Sequence, residues 1–441
     1  METILQKSIS KPVRPAGLPR ADVQRAASPA QRYLQLCLLV LAAGAIYPIL
    51  YLRQVYQTTM LDVFHIDNSQ LGYLYSVLGI VFFLCYLPSG WLADRVAPRL
   101  LICFSLVGTG VLGLWYSTAP SFHTLLVIFC CWGLTTGLTF WASVLKRVRM
   151  IAGAHEQGRF FGMLDGGRGL IEAILATIAL ALFASATGSG SGEAVGLRHV
   201  VYLYSFTCIG LGALMSLFGD SASAQADSTD ATAKAGQPGG VLWRDLATLA
   251  SIPQLWLVAA VVFCGYQIFW ATYSFSAYLQ QDDLHMSVVA AGTVTTLKLW
   301  MRPVGGIGGG WLGDRLSNLR VLIWAIFLAV AGLVGLIVLP AARNMELLGA
   351  VVLFIGLMTY AIRGLYWTLL DCCSIPMRIT GLAIGLVSLI GYSSDIFLPL
   401  VNGWFTEHYA GLLGYQFYFA YVAAIGALGG IAALVLKRMT A

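Results

Sequence analysis

The chain has 441 residues, of which 58% are hydrophobic and only 10% are charged, and its mean hydropathy is +0.78. So few polar side chains cannot cover a water-soluble globule of this length. The composition therefore excludes a soluble protein and predicts one that crosses a membrane many times.

The first 31 residues are rich in Pro, Ser, Ala and Arg and contain no apolar run. This composition predicts a disordered cytoplasmic tail, 1–31, rather than a cleaved signal. From Tyr33 onward, apolar runs of about 20 residues recur, and each is long enough for one membrane-spanning helix. The sequence predicts twelve such spans, at 33–58, 70–92, 99–118, 123–146, 161–184, 200–219, 255–279, 287–311, 320–340, 346–372, 379–404 and 415–436.

A polar stretch divides the spans into two sets of six. Residues 220–254 include Ser, Asp, Gly and Pro in a composition that cannot pack, so they are predicted to be a cytoplasmic linker. The N-terminal six-helix half is predicted at 32–219 and the C-terminal half at 255–441. The predicted fold class is therefore an all-α membrane protein with twelve transmembrane helices in two six-helix halves.

A short motif appears once in each half and relates the halves as a repeat. Gly90-Trp-Leu-Ala-Asp-Arg95 follows the second span, and Gly310-Trp-Leu-Gly-Asp-Arg315 follows the eighth, about 220 residues later. A parallel repeat of hydrophobic segments is typical of one large class of secondary transporters.

The positions of the basic residues predict the orientation of the chain. If the N-terminus is inside, the inner segments hold nineteen Lys and Arg residues, whereas the outer loops hold only Arg198 and Arg343. The positive-inside rule then places both termini in the cytoplasm. We expect a multi-pass protein of a bacterial inner membrane, surrounded by lipid bilayer.

The sequence does not favour an enzyme. The nine cysteines lie in apolar runs, and the spans contain no histidine cluster, no nucleophile beside a base and no phosphate-cradling loop. We therefore expect no catalytic residue, no metal, no cofactor and no nucleic-acid partner. The chain is expected to be a monomer.

The two loop motifs, together with Glu156-Gln-Gly-Arg159 between spans 4 and 5, resemble those of the major facilitator superfamily from Tyr33 to Arg438. The resemblance implies that the acidic and basic residues of each loop latch the cytoplasmic side in the outward-open state. These gating residues are Asp94, Arg95, Asp314 and Arg315. Alternatively, they are interfacial anchors that set the topology. The first loop departs from the family pattern at Val96-Ala-Pro98.

Within that superfamily, Tyr51-Leu-Arg53 followed by Leu71-Gly72 is similar to the first span of the organophosphate and sugar-phosphate antiporters. The resemblance implies that Arg53 binds a phosphate. Those antiporters place a second basic residue in span 7, whereas the polar groups of span 7 here are Tyr266, Gln267, Trp270 and Tyr273.

Away from the span ends, five basic residues lie within the predicted spans, and three carboxylates lie at a similar depth. The basic residues are Arg53, Arg168, Lys298, Arg302 and Arg363, and the acidic ones are Asp165, Glu172 and Asp395. Each charge costs roughly 2.5–3.5 kcal/mol at the bilayer centre, so these groups must be paired or must face a wet cavity. The surplus of two cations, or of one if Asp371 at the inner end of span 10 is deep enough to count, predicts a central chamber that attracts an anion.

Helical spacing divides these charges into groups. Asp165, Arg168 and Glu172 share one face of span 5, which predicts an ion network for gating in which Arg168 is neutralised by its own helix. Alternatively, Glu172 couples transport to protons, and Asp395 and Asp165 are further candidates for this role. Lys298 and Arg302 lie four residues apart and repel each other unless an anion or another carboxylate lies between them.

Aromatic side chains complete the predicted binding site. The residues predicted to bind substrate are Arg53, Lys298, Arg302, Arg363, Tyr266, Tyr273 and Tyr360. Arg302 alternatively extends its charge toward the cytoplasm, and Tyr266 and Tyr273 alternatively serve helix packing.

The leading hypothesis is a secondary transporter of a small organic anion, such as a carboxylate, a phosphate ester or a sulfonate. It works by alternating access, either coupled to protons or by anion exchange. The alternatives are a drug/proton exporter, which fits the abundant aromatic residues, and a transporter-like sensor of its ligand.

Overall fold

The computed structural model describes residues 29–152, 156–217, 239–342, 344–373, 375 and 379–440, and the described residues are almost entirely helical. The predicted tail falls mostly outside the described residues, as do positions 220–238 of the predicted linker. The remainder of the linker region contains the helix Gly239–Ala250.

The N-terminal half consists of six crossings. Span 1 is formed by α1 (Pro29–Ala45) and α2 (Arg53–Phe64), and spans 2 and 3 by α3 (Asn68–Arg95) and α4 (Pro98–Tyr116). Span 4 is formed by α5 (Phe122–Gly133), the π-turn Leu134–Leu138 and α6 (Trp141–Ile151), and spans 5 and 6 by α7 (Gln157–Gly188) and α8 (Glu193–Leu217).

The C-terminal half repeats this arrangement after the linker helix α9 (Gly239–Ala250). Span 7 is formed by α10 (Pro253–Ala271), the 3₁₀ turn Thr272–Ser274 and α11 (Phe275–Leu279), and spans 8 and 9 by α12 (Val288–Leu316) and α13 (Asn318–Val338). Span 10 is formed by α14 (Met345–Leu365) and the 3₁₀ segment Tyr366–Cys373, span 11 by α15 (Thr380–Gly391) and α16 (Ser394–His408), and span 12 by α17 (Leu412–Thr440).

The predicted all-helical membrane fold is confirmed, and the described helices are compatible with twelve crossings. Ten helical segments among the described residues are long and apolar enough to cross a membrane. Span 1, whose two helices are short, and span 8, whose helix carries Lys298, Arg302 and Arg315, complete the twelve. The fold class is therefore an all-α membrane protein with two six-helix halves.

Local chemistry explains where several helices begin and end. Asp67 and Gln70 form a capping box at the start of span 2, and Asn344 accepts a hydrogen bond from the backbone N–H of Leu347 at the start of span 10. At the end of α2, His65 adopts a left-handed conformation with φ of 52°, which stops that helix.

The two ends of the bundle differ in how the halves meet. We call the end that carries the Asp94-Arg95 and Asp314-Arg315 loops the motif end. At the opposite end, Thr58 donates to Gln280 at 2.6 Å and Ser276 donates to the carbonyl of Val55 at 2.7 Å, so that spans 1 and 7 are joined directly.

Glycines tighten the junction at this opposite end. Gly72 of span 2 packs on span 11 so closely that an added Cβ would lie 2.6 Å from the carbonyl oxygen of Pro399. At Gly403 of span 11, an added Cβ would likewise lie 2.7 Å from the carbonyl oxygen of Asn68 in span 2. Small residues let membrane helices approach this closely, so the two halves are in contact at the opposite end.

Candidate functional site

Arg53 is the first residue of α2, directly after the interruption that follows Ala45 in span 1. The side chain is 2% exposed, and its guanidinium carbon lies 5.0 Å from the centroid of the Tyr75 ring. Its Nη2 donates to Gln57 at 3.3 Å, while Nε and Nη1 have no hydrogen-bond partner.

No carboxylate of the described residues lies within 4 Å of the Arg53 guanidinium. The groups that surround it electrostatically are tyrosines, namely Tyr75, Tyr418, Tyr415 and Tyr273. A buried guanidinium presents five N–H donors in a planar fork that matches carboxylate, phosphate and sulfonate oxygens. Arg53 is therefore a desolvated cation with free donors, as an anion site requires.

Aromatic rings from both halves enclose the space beside Arg53. Tyr51 of span 1 stacks on Tyr273 of span 7 with centroids 5.1 Å apart and planes 4° apart. Tyr51 also stacks on Tyr75 at 6.1 Å, and Trp270 meets Tyr273 edge-on at 5.0 Å. These rings form an aromatic contact between the two halves next to Arg53.

Asp395 lies at the start of α16, just after the interruption of span 11, and is 5% exposed. Its carboxylate accepts a hydrogen bond from Trp270 Nε1 at 2.5 Å. Arg363 is not within ion-pair distance of this carboxylate, and its guanidinium carbon lies over Phe269 at 4.1 Å and over Tyr266 at 5.7 Å. Asp395 is thus a buried carboxylate held by a neutral indole.

Arg302 joins the two halves through the carboxylates of span 5. It forms an ion pair and hydrogen bond with Glu172 and lies 3.8 Å from Asp165. The sequence predicted that these carboxylates neutralise Arg168, but Arg168 instead lies over Trp141 and Tyr47, at 5.0 and 5.4 Å from the ring centroids. Spacing along span 5 did not reveal that a cation from span 8 reaches both carboxylates.

Exposure within this network increases toward the motif end. The side chains of Arg302, Glu172 and Asp165 are 13%, 21% and 74% exposed, respectively, whereas Arg53 and Asp395 are almost fully buried. Since Asp165 lies on the motif-end side of Glu172 along span 5, the network of Arg302 reaches solvent toward the motif end.

Lys298 is not within ion-pair distance of the carboxylates that pair with Arg302. Its Nζ donates to the carbonyl oxygen and hydroxyl of Thr272 at 3.3 and 3.2 Å, and the residue is 1% exposed. Tyr360, a predicted substrate residue, lies under the Arg302 guanidinium at 5.9 Å. Tyr266, which was also predicted to bind substrate, packs edge-on against Tyr392 with ring centroids 4.6 Å apart.

The contacts found for the loop-motif residues remain within their own half. Asp94 lies 3.8 Å from Lys146, and the guanidinium of Arg95 stacks on Trp91 at 4.0 Å. In the second half, Arg315 stacks on Trp311 at 3.9 Å in the same way, and Asp314 is exposed. In both motifs, therefore, the arginine stacks on the tryptophan that precedes it by four residues.

Some residues near Arg53 were missed by the sequence reasoning. Gln57 donates to Asn68 at 2.9 Å and to Tyr415 at 3.4 Å, and Tyr75 bonds to the backbone of span 1. The two glutamines that follow Arg53 in an apolar span, Gln54 and Gln57, were a usable signal. Tyr75 carried none, because tyrosines are common throughout this chain.

A twelve-helix bundle with two repeated halves and charged residues buried between them defines a membrane transporter rather than an enzyme. The family model described as Major Facilitator Superfamily matches residues 33–394. The chain belongs to this family.

Two curated relatives match over nearly their whole length. The inner membrane protein YihN of Escherichia coli K12 is 27% identical over 405 residues, covering 91% of this chain and 94% of the relative. The D-galactonate transporter of Escherichia coli O6:H1 is 23% identical over 427 residues, covering 91% and 95%.

Two solved structures show the same fold. A bacterial homologue of the human lysosomal transporter Spinster, inward-facing and unoccupied, has a TM-score of 0.71 and 14% identity, covering 93% of this chain and 97% of that one. A mutant of the nucleoside transporter NupG has a TM-score of 0.69 and 14% identity, covering 92% and 99%.

Proposed function

We propose that this transporter carries a small organic anion, with a carboxylate, phosphate ester or sulfonate group, through a site between its two halves. The observation that carries the proposal is Arg53, which is buried with two unpartnered guanidinium nitrogens and has no carboxylate of the described residues within 4 Å. Burying a cation in this way is costly unless a ligand compensates it.

In this proposal Arg53 binds the charged group of the cargo, and aromatic rings contact the remainder. Tyr273 stacks on Tyr51, which precedes Arg53 by two residues. Tyr266 lies under the guanidinium of Arg363, and Tyr360 lies under that of Arg302. The D-galactonate transporter among the relatives is named for a carboxylate, which supports an anionic cargo. The NupG structure is named for nucleosides, so the fold alone does not select the cargo.

The cargo moves by alternating access, in which the halves rock about the site. We assign the motif end to the cytoplasm, together with both termini, because the basic residues are concentrated on that side. The Asp94-Arg95 and Asp314-Arg315 loops then form their latch after the motif end closes. The present contacts of these loops, confined to their own half, fit a latch that is open.

Asp395 is the preferred proton-coupling group, because it is buried and has no cationic partner within ion-pair distance among the described residues. Glu172 and Asp165 are held by Arg302, so they fit a gating role better. If Asp395 takes no part, anion exchange is the remaining mode of coupling.

A thermal-shift screen of the purified protein tests the class of cargo. Metabolites with carboxylate, phosphate or sulfonate groups are compared with neutral analogues of the same carbon skeleton. A ligand bound only by the folded state raises the melting temperature, so anions should shift it and neutral analogues should not. Uptake of the best anion into proteoliposomes then separates a transporter from a ligand sensor. A response to hydrophobic cations alone would favour a drug exporter.

A further inference from the structure

The first span of each half departs from regular α-helix part-way along its length. Span 1 is interrupted between Ala45 and Arg53, and span 7 passes through the 3₁₀ turn Thr272–Ser274 between α10 and α11; we call each of these places a break. A helix that ends inside a membrane leaves backbone carbonyl groups without their usual N–H partners, and other groups must satisfy them.

In span 1 a tyrosine from span 2 forms hydrogen bonds with the backbone groups at the break. The hydroxyl of Tyr75 donates to the carbonyl of Leu50 at 2.9 Å and accepts from the N–H of Arg53 at 3.5 Å. Tyr75 is 1% exposed. The tyrosine hydroxyl and both backbone groups are neutral. The break in span 1 is therefore stabilised by a side chain that carries no charge.

In span 7 the corresponding group is Lys298, from span 8. Its ammonium donates to the carbonyl and hydroxyl oxygens of Thr272, the residue that follows α10. The residue 220 positions after Tyr75 is Thr295, and Lys298 lies one turn further along the same face. A cation at a helix C-terminus is also favoured by the helix dipole.

The surroundings of Lys298 separate it from the anion site. No carboxylate of the described residues lies within 4 Å of its ammonium group. Its stem packs against Gly356 of span 10, where an added Cβ would collide with the Cγ of the lysine. The ammonium is therefore directed to the break in span 7 by a close fit on span 10.

The segment after this break closes the opposite end. Ser276 donates to the carbonyl of Val55 at 2.7 Å, and Gln280 accepts from Thr58 at 2.6 Å. The direction in which α11 leaves the turn decides whether these contacts to span 1 form.

We propose that Lys298 is a positioning residue whose ammonium fixes the break in span 7 and thereby keeps the opposite end closed. Opening of that end then requires the lysine to leave Thr272. This inference rests on the proposed alternating-access mechanism, but it does not depend on the class of cargo.

The test uses the full chain in proteoliposomes with Ser276→Cys as a reporter. Ser276 is fully buried, so a membrane-impermeant maleimide supplied from the opposite end labels this cysteine only when that end opens. The chain without the reporter gives the background from the native cysteines. No cargo is added, so failure of the anion hypothesis does not affect the readout.

In the Lys298→Met variant the reporter cysteine should be labelled about tenfold faster than in the chain with the reporter alone. This increase is expected for loss of a charge-assisted hydrogen bond that favours the closed end. Lys298→Arg, which keeps the cation, should label slowly. Gly356→Ala displaces the lysine stem while keeping its charge, and it should also accelerate labelling, so the test stands even if Lys298→Met does not fold.

Unchanged labelling in both Lys298→Met and Gly356→Ala overturns the proposal. A lysine that is merely buried predicts that result, because replacing a buried charge with an apolar side chain is often neutral or stabilising. A lysine that only binds cargo predicts weaker cargo affinity with unchanged labelling, which is equally a refutation.

Discussion

Arg53 and Arg302 are both arginines at membrane depth, yet their surroundings are opposite. Arg302 has two carboxylates from the other half within ion-pair distance, whereas Arg53 has none among the described residues. A paired cation holds protein elements together, while an unpaired and desolvated one attracts a ligand. The comparison separates a residue that links the halves from a residue that selects cargo.

The largest expected effect comes from removing the unpaired cation. Arg53→Gln should weaken anion binding by roughly 10–150-fold, since hydrogen bonds to charged groups contribute about 1.5–3 kcal/mol. Uptake of labelled anion into proteoliposomes measures the effect. Arg320→Gln, at an exposed position of the motif end, is the matched control and should transport normally. Equal uptake by both variants would remove Arg53 from the cargo site.

The next effect concerns Asp395, the carboxylate that shares the centre with Arg53 but bonds to Trp270. If it carries the coupled proton, a gradient of one pH unit drives up to about tenfold accumulation in the parent, because each pH unit corresponds to about 1.4 kcal/mol. Asp395→Asn should abolish this accumulation while exchange of internal for external anion continues. Accumulation that persists in the variant would exclude Asp395 as the coupling group.

Breaking the paired cation should have a smaller and different effect. Glu172→Gln leaves the partly buried Arg302 with only Asp165, which should cost about 1–3 kcal/mol and lower the melting temperature. Removing Arg302 as well, by Arg302→Gln, should recover part of that loss, because no unpaired cation then remains. A double-mutant cycle on melting temperature measures the coupling. Additive losses would show that the bridge contributes nothing.

The smallest effect is expected at the glycine contacts of the closed end. Gly72→Ala forces span 2 away from Pro399 and should slow transport a few-fold by disfavouring closure. Gly210→Ala in α8 is the matched control, because a Cβ there also meets no atom within 4 Å and the residue lies outside both loop motifs. Transport rates in proteoliposomes compare the two variants. Equal rates would show that close packing at Gly72 is not needed for the cycle.

The fold was predictable because hydrophobic length and the motif repeat are local properties of the sequence. The interruption of span 1 was not predicted, since residues 33–58 are continuously apolar enough to be taken as one helix. The hydrogen bonds of Tyr75 to Leu50 and Arg53 stabilise the break, and these depend on packing between spans.

The candidate site was predictable in composition but not in pairing. Counting charges identified Arg53 and Asp395 as residues at membrane depth, and helical spacing placed Asp165 and Glu172 on one face. Spacing within one helix says nothing about which helix lies opposite it. The assignment of both carboxylates to Arg302, and of Lys298 to Thr272, therefore required the tertiary structure.

The most direct test of the central claim is equilibrium binding measured by calorimetry for an anion and its neutral analogue. The unmodified chain should bind the anion at least about tenfold more tightly, and Arg53→Gln should lose this preference while remaining folded. Equal affinity of the unmodified chain for the two ligands, or a preference that survives in Arg53→Gln, would contradict the assignment of Arg53 as the anion-binding residue.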